Sequence, residues 1–234
     1  MNDPLREFLD RLHERGDLVR IQQEVDWNIE AGAIMRRANE TGAPAQLFEK
    51  LKGYPRGYRL LGGGLSTFKR LAVAMGLPGD TGYSAMVDEF VRRNANPIKP
   101  IVVGSGPCKE NIMRGDEVDL LKFPVPYLHP QDGGRFLGTL NVGVCKDPDS
   151  DWVNWGTYRA MVHDRRTTGI YLGPLNHAGI LLRKHTQRNL PMDYAIFMGS
   201  APVTQLVATS GVPYGVNEVD IVGGFRREPV PLVK

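Results

Sequence analysis

The sequence predicts an α+β protein, and three observations predict it. The first hundred residues alternate helical and strand patterns. From about Pro100 the runs become strand-like and punctuated by glycine and proline. Helical patterns then recur between the later strands, so the second half reads as a mostly antiparallel sheet or barrel with inserted helices. The change of character falls within residues 100–116, which divides the chain into segments 1–115 and 116–234.

Asp3-Pro4 is a helix start, a side-chain cap followed by proline at the first helical position. Leu5, Phe8, Leu9 and Leu12 share one face of that helix, and Gly16 stops it. LVRIQQEV alternates as a strand, NIEAGAIMRRANETG reads as a helix ending at Gly42, and AQLFEKL reads as a strand. RLLGGGLSTFKRLAVAMGL is a strand, a glycine turn and a helix capped by Ser66. Its GGG invites a phosphate-loop reading, but no GK[ST] follows and GxGxxG is absent, so a structural turn is the expectation. SAMVDEFVRRN is a further helix. GDEVDLLKFPVPYLHPQDGG is irregular, and FLGTLNVGVCKD, DWVNWGTYRAMVH and TTGIYLG are strands, the last two joined by DRRT. AGILLRKHTQR is a helix, DYAIFMG a strand, and PVTQLVATSG and VNEVDIVGG short helices. EPVPLVK reads as a strand only beginning, so the chain is expected to continue.

With 29 Lys+Arg against 26 Asp+Glu, the surplus of +3 is too small and scattered for a nucleic-acid surface. Cys108 and Cys145 lack metal-ligand spacing and are expected as free thiols of a cytoplasmic protein. The N-terminus is amphipathic and charged rather than a signal peptide, and no apolar run approaches the roughly 20 residues of a membrane span.

The unusual stretch is NWGTYR, Asn154–Arg159. In a regular strand Asn154, Gly156 and Tyr158 share one face while Trp155, Thr157 and Arg159 share the other. Asn154 and Arg159 could then serve one ligand only if the backbone bends, which Gly156 makes easiest. Spacing alone favours aromatic residues packed on a barrel, with Asn154 and Arg159 at its rim. Downstream, GPLNHAG places His177 between a strand and a helix, where a neutral imidazole could bind a metal. An Asn–His pair is too small for a zinc site. It suits a hard cation completed by phosphate, water and a carboxylate. His13, His129, His163 and His185 form no metal-binding group; His163 reads as structural and His185 as part of a solvated basic face.

NWGTYR followed by NHAG resembles the flavin-binding signature of the UbiD family, decarboxylases that use prenylated FMN, whose usual form is N-x-G-x-Y-R with a later His. GPCKENIMRGDEVDLLKFPVPYLHPQDGGRFLGT is similar to the stretch leading into that family's central domain. LREFLDRLHERGDLVRI and APAQLFEKLKGYPRGYRLLGGGLSTFKRLAVAMG resemble its N-terminal domain. The resemblance covers essentially the whole chain. It implies a mixed α/β N-terminal domain (1–115) and a split β-barrel that binds prenyl-FMN (116–234).

The same resemblance implies the roles of particular residues. Asn154 and His177 match metal ligands for Mn²⁺ or a similar divalent ion, with K⁺ a further candidate. Asn154, Trp155, Gly156, Thr157, Tyr158 and Arg159, then Asn176 and His177, match the cofactor wall. Arg159 matches the arginine that faces the substrate carboxylate. The implied partners are a small carboxylic acid, a flavin prenyltransferase that supplies the cofactor, and a C-terminal region or homo-oligomer partner. The third metal ligand and the proton donor are expected beyond residue 234, because the family segments that carry them would follow PVPLVK; Glu218, Asp220 and Glu228 are available carboxylates, but none sits in the matching motif. The implied activity is reversible decarboxylation of an aromatic or α,β-unsaturated acid, with this chain inactive alone. The alternatives are a non-catalytic flavin-binding chain or subunit and, explaining fewer residues, a split-barrel flavin reductase.

Overall fold

A computed structural model describes residues 4–234, so the expected Asp3 cap lies outside the described residues. In chain order its elements are α1 (Pro4–Glu14), β1 (Leu18–Ile21), α2 (Glu30–Thr41), β2 (Ala45–Phe48), β3 (Leu60–Gly62), α3 (Phe68–Ala74), α4 (Tyr83–Asn94), β4 (Ile101–Val103), β5 (Arg135–Leu137), β6 (Asn141–Lys146), β7 (Val153–Gly156), β8 (Ala160–Val162), β9 (Thr168–Ile170), α5 (His177–Gln187), β10 (Tyr194–Met198), α6 (Pro202–Ala208), α7 (Glu218–Arg226) and β11 (Pro231–Val233). The irregular stretch after β4 holds only short 3-10 turns.

The architecture is mixed α+β, and two compact units interleave along the chain. One contains the residues up to Thr81, Arg114–Gly138 and Arg159–Gly169; the other contains Gly82–Met113, Thr139–Tyr158 and Ile170–Lys234. Two crossings fall where the sequence predicts continuous strands. FLGTLNVGVCKD breaks into β5 and β6 around Gly138, whose φ of 101° only glycine adopts easily. DWVNWGTYRAMVH breaks into β7 and β8, which join different sheets, β10-β6-β7 and β5-β8-β9. No closed barrel forms among the described residues; the antiparallel strands make two separate three-stranded sheets.

In the first unit β2 is buried throughout and pairs parallel with β1 and antiparallel with β3. Its alternation feeds two cores. Ala45 and Leu47 pack with Phe8, Leu9 and Leu12 of α1, Leu18 and Val73, whereas Phe48 packs with Val25, Ala31 and Leu51. The GGG segment is a structural turn. The buried Arg70 guanidinium donates to Gly63 O (2.8 Å), Ser66 Oγ (2.9 Å) and Ala43 O (2.6 Å), and pairs with Asp17 at 2.9 Å. The α3 cap is Thr67, which accepts the Arg70 N–H, rather than Ser66, whose hydroxyl turns back to Gly63 O.

In the second unit β6 is the central antiparallel strand between β10 and β7, and β4 pairs parallel with β11. The ring of Phe90 on α4 meets that of Phe225 on α7 at 5.0 Å. Glu89 holds Arg92 and Arg93 on the same helix, and those bonds, Arg92 first, lower its pKa to about 2 from 4.5. The stability gained is present above the ordinary carboxyl value and lost as pH falls toward 2. Thermal unfolding of Glu89→Gln is therefore expected to lie below wild type at pH 6, with the gap closing by pH 2. A gap that persists unchanged to pH 2 would rule this linkage out. Cys108 is exposed and Cys145 buried, and both thiols are free. Among the described residues no helix is long and apolar enough to cross a membrane.

Candidate functional site

β7 presents Asn154 inward, 2% exposed, opposite Cys145 of β6. The predicted sharing of a face is realised locally, since the Tyr158 hydroxyl reaches back over Gly156 to Asn154 Oδ1 at 3.1 Å. Glycine is required here: a Cβ on Gly156 would stand 2.5 Å from Tyr158 Cε2 and 2.7 Å from its hydroxyl. The small residue of the motif thus clears space for the Tyr158 ring.

α5 starts at His177 because the side chain of Asn176 caps it, accepting the Gly179 N–H at 2.7 Å. α7 starts at Glu218, after Asn217, whose Oδ1 accepts the Val153 N–H at 2.8 Å and ties that helix start to β7. The two helix starts meet β7 at one place. Asn154 Nδ2 donates to Glu218 Oε1 at 2.9 Å, and the Trp155 N–H donates to Glu218 Oε2 at 2.9 Å. His177 Nδ1 lies 3.6 Å from Glu218 Oε1. Its imidazole rests edge-on against Trp152 (5.2 Å) and Tyr214 (5.7 Å).

Glu218 is 3% exposed, and burial raises its carboxyl pKa, opposed by the Trp155 N–H, the Asn154 amide and the nearby His177. A buried carboxylate with an imidazole and an amide beside it is a natural cation receptor, because a cation removes the cost of the isolated charge. Burial likewise pushes the Cys145 thiol up to about 12, so it stays protonated behind Asn154.

The other expected site residues divide. The Trp155 ring is buried against Phe197 at 5.0 Å. Thr157 Oγ1 is buried without a partner, as are Asn141 Oδ1 and Gln205 Oε1 in the same unit. Arg159 belongs to the other unit, its guanidinium 4.7 Å over the Phe136 ring, and among the described residues no carboxylate pairs with it. His163 packs against Gly169. His185 departs from the solvated-face expectation: its nitrogens lie 3.1 Å from Pro191 O and 3.2 Å from Lys146 O, linking α5 to the end of β6.

Glu218 is the carboxylate that sequence reasoning set aside and that the fold places beside two of the expected site residues. The expectation that the third acidic partner lies beyond residue 234 does not allow for this carboxylate, which stands directly beside Asn154 and His177. A signal was available. EVDIVGGF is apolar around most of its circumference and so predicts a buried helix, and a Glu opening such a helix needs a buried partner.

A family model for the UbiD 3-octaprenyl-4-hydroxybenzoate carboxy-lyase Rift-related domain matches residues 101–234, and one for the UbiD N-terminal domain matches residues 9–90. The chain belongs to the UbiD family. It is 39% identical over 239 residues to the pyrrole-2-carboxylic acid decarboxylase of Pseudomonas aeruginosa, covering 98% of this chain and 48% of that protein. It is 35% identical over 246 residues to ferulic acid decarboxylase 1 of Saccharomyces cerevisiae, again 98% of this chain and 48% of the relative. In three dimensions it is similar to the UbiD-class enzyme HmfF from Pelotomaculum thermopropionicum, in an evolved dimeric form in complex with prFMN. There the TM-score is 0.90 at 30% identity, over 100% of this chain and 53% of that one. The chain therefore spans about half the length of the relatives it matches.

Proposed function

We propose that this chain carries the prenyl-FMN and divalent-cation site of a reversible decarboxylase acting on an aromatic or α,β-unsaturated carboxylic acid. The observation that carries the reading is the convergence of Asn154, His177 and the buried Glu218 at the starts of two helices. The donor set fits the group. An amide oxygen, an imidazole nitrogen and a carboxylate suit Mn²⁺, and a phosphate and water can fill the remaining positions. Among the described residues no group of three or more His, Cys, Asp or Glu side chains could hold a metal ion, so the reading takes the Asn154 amide oxygen and a cofactor phosphate as further ligands. The partnerless oxygens of Thr157, Asn141 and Gln205 suit a flavin, whose ring edge both donates and accepts.

When bound, prenyl-FMN supplies the electron sink that no side chain offers. Asn154, His177 and Glu218 would hold the cation against its phosphate, while Trp155, Gly156, Thr157, Tyr158 and Asn176 form the wall around the site. Arg159 is assigned to the substrate, because a guanidinium binds a carboxylate in two-point fashion. K⁺ is a further candidate ion. Segments 1–115 and 116–234 are taken as the N-terminal and cofactor-binding parts, the latter a split barrel. The chain alone is proposed to be inactive, since no carboxylate among the described residues stands by Arg159 to pass a proton. A C-terminal region or oligomer partner would supply it.

Native mass spectrometry of the chain, co-produced with a flavin prenyltransferase and given Mn²⁺, tests the reading. A bound mass equal to prenyl-FMN plus one Mn²⁺, lost in His177→Ala, is the expected result. A folded chain that retains neither group would overturn it, as would rapid CO₂ release by the chain alone for the claim of inactivity.

A further inference from the structure

The Tyr158 hydroxyl ties one of the three side chains assigned to the cation to the helix start that carries another, without itself being assigned to the cation. It donates to Asn154 Oδ1 at 3.1 Å and accepts the Ala178 N–H at 3.3 Å. Asn154 lies on β7, and Ala178 follows His177 in the first turn of α5. One oxygen therefore spans the strand that carries one ligand and the helix that carries another. The ring is fixed by its place over Gly156 and by packing against the cluster of Cys145, Trp152, Ala178 and Leu181.

This contact matters for the orientation of the Asn154 amide. In the structure Nδ2 faces Glu218 Oε1 at 2.9 Å and Oδ1 faces Tyr158. An NH₂ group cannot ligate a cation, so binding requires the amide to turn and present Oδ1, which leaves Nδ2 toward Tyr158. A hydroxyl serves both arrangements, donating to the oxygen in one and accepting from the nitrogen in the other. A phenyl ring serves neither.

We propose that Tyr158 is a positioning residue of the cation site, holding the Asn154 amide in either orientation and tying it to the helix start that carries His177. The proposal rests on the reading of Asn154, His177 and Glu218 as the cation site. Its test is Mn²⁺ binding to the full chain, by calorimetry and by paramagnetic resonance of the bound ion. Tyr158→Phe is compared with Tyr194→Phe, because Tyr194 packs in the same cluster and its buried hydroxyl has no partner.

Tyr158→Phe is expected to weaken Mn²⁺ binding by about 5- to 10-fold, the scale of one buried hydrogen bond, and to alter the resonance of the bound ion. Tyr194→Phe should change affinity by less than about twofold, having no bond to lose. In an Asn154→Asp background either carboxylate oxygen can face the ion, so there Tyr158→Phe should cost only about twofold. Wild-type affinity in Tyr158→Phe, an equal loss in Tyr194→Phe, or an equal cost in both backgrounds overturns the proposal. A wild-type chain that binds no Mn²⁺ overturns the cation reading itself and this inference with it.

Discussion

Glu218→Gln is expected to raise the thermal stability of the metal-free chain at pH 7.5 and to abolish its response to Mn²⁺. The two effects have one cause. The carboxylate is buried, its pKa is raised chiefly by that burial, and its neighbours compensate the charge only in part. A raised carboxyl favours the folded state fully below its ordinary value near 4.5 and loses that advantage as pH rises through the folded value. Wild type should therefore fall behind Glu218→Gln as pH increases from about 4.5 toward neutrality. A bound cation reverses the order. Mn²⁺ at a hundredfold excess over its Kd stabilises a folded chain by about 2.7 kcal/mol, or roughly 5–10 °C for a protein of this size. Glu218→Gln, with the charged ligand gone, should show little of that gain. An equal Mn²⁺-induced shift in both proteins would remove Glu218 from the site.

The second large effect is expected at Gly156. An alanine methyl there would lie 2.5 Å from Tyr158 Cε2 and 2.7 Å from Cζ and the hydroxyl. The ring can retreat only by leaving Asn154 and Ala178, its two hydrogen-bond partners. Overpacking of this kind costs about 1–3 kcal/mol, seen as a fall in Tm of several degrees, and the loosened ligands should also lower flavin retention. The cause can be isolated with Tyr158→Val, which removes the ring. In that background Gly156→Ala should cost less than about 0.5 kcal/mol, because the two positions are coupled only through the clash. An equal loss with and without the ring would place the strain elsewhere in β7.

Much of the fold was legible because local signals agreed. α2 ends at Gly42 in a left-handed conformation with φ 66°, as the glycine stop predicts. α1, α4, α5 and β10 follow their apolar patterns. Both strand breaks were illegible for a common reason. Periodicity reports which side of a strand is apolar, not which sheet it joins, so apolar residues on either side of Gly138, or of residues 157–159, read as one continuous run. Asn154 and His177 could be singled out in advance because they lie in a recognisable order along the chain. The burial of Glu218 was signalled by its apolar helix, but its partner was not: 64 residues separate it from Asn154, and only the packing of α7 against β7 brings the two to 2.9 Å.

The sequence by itself determined the α+β class, the two free thiols and the membership of the UbiD family. Each of these is written in residue order or in a short-range period. Only the tertiary structure decided that β7 and β8 part company, that Gly156 leaves room for the Tyr158 ring, and that Glu218 lies beside Asn154 and His177. Those outcomes depend on where two helix starts meet one strand. A buried charge finds its partners in space, and the free energy of burying it is settled by the donors that surround it rather than by its neighbours in the chain.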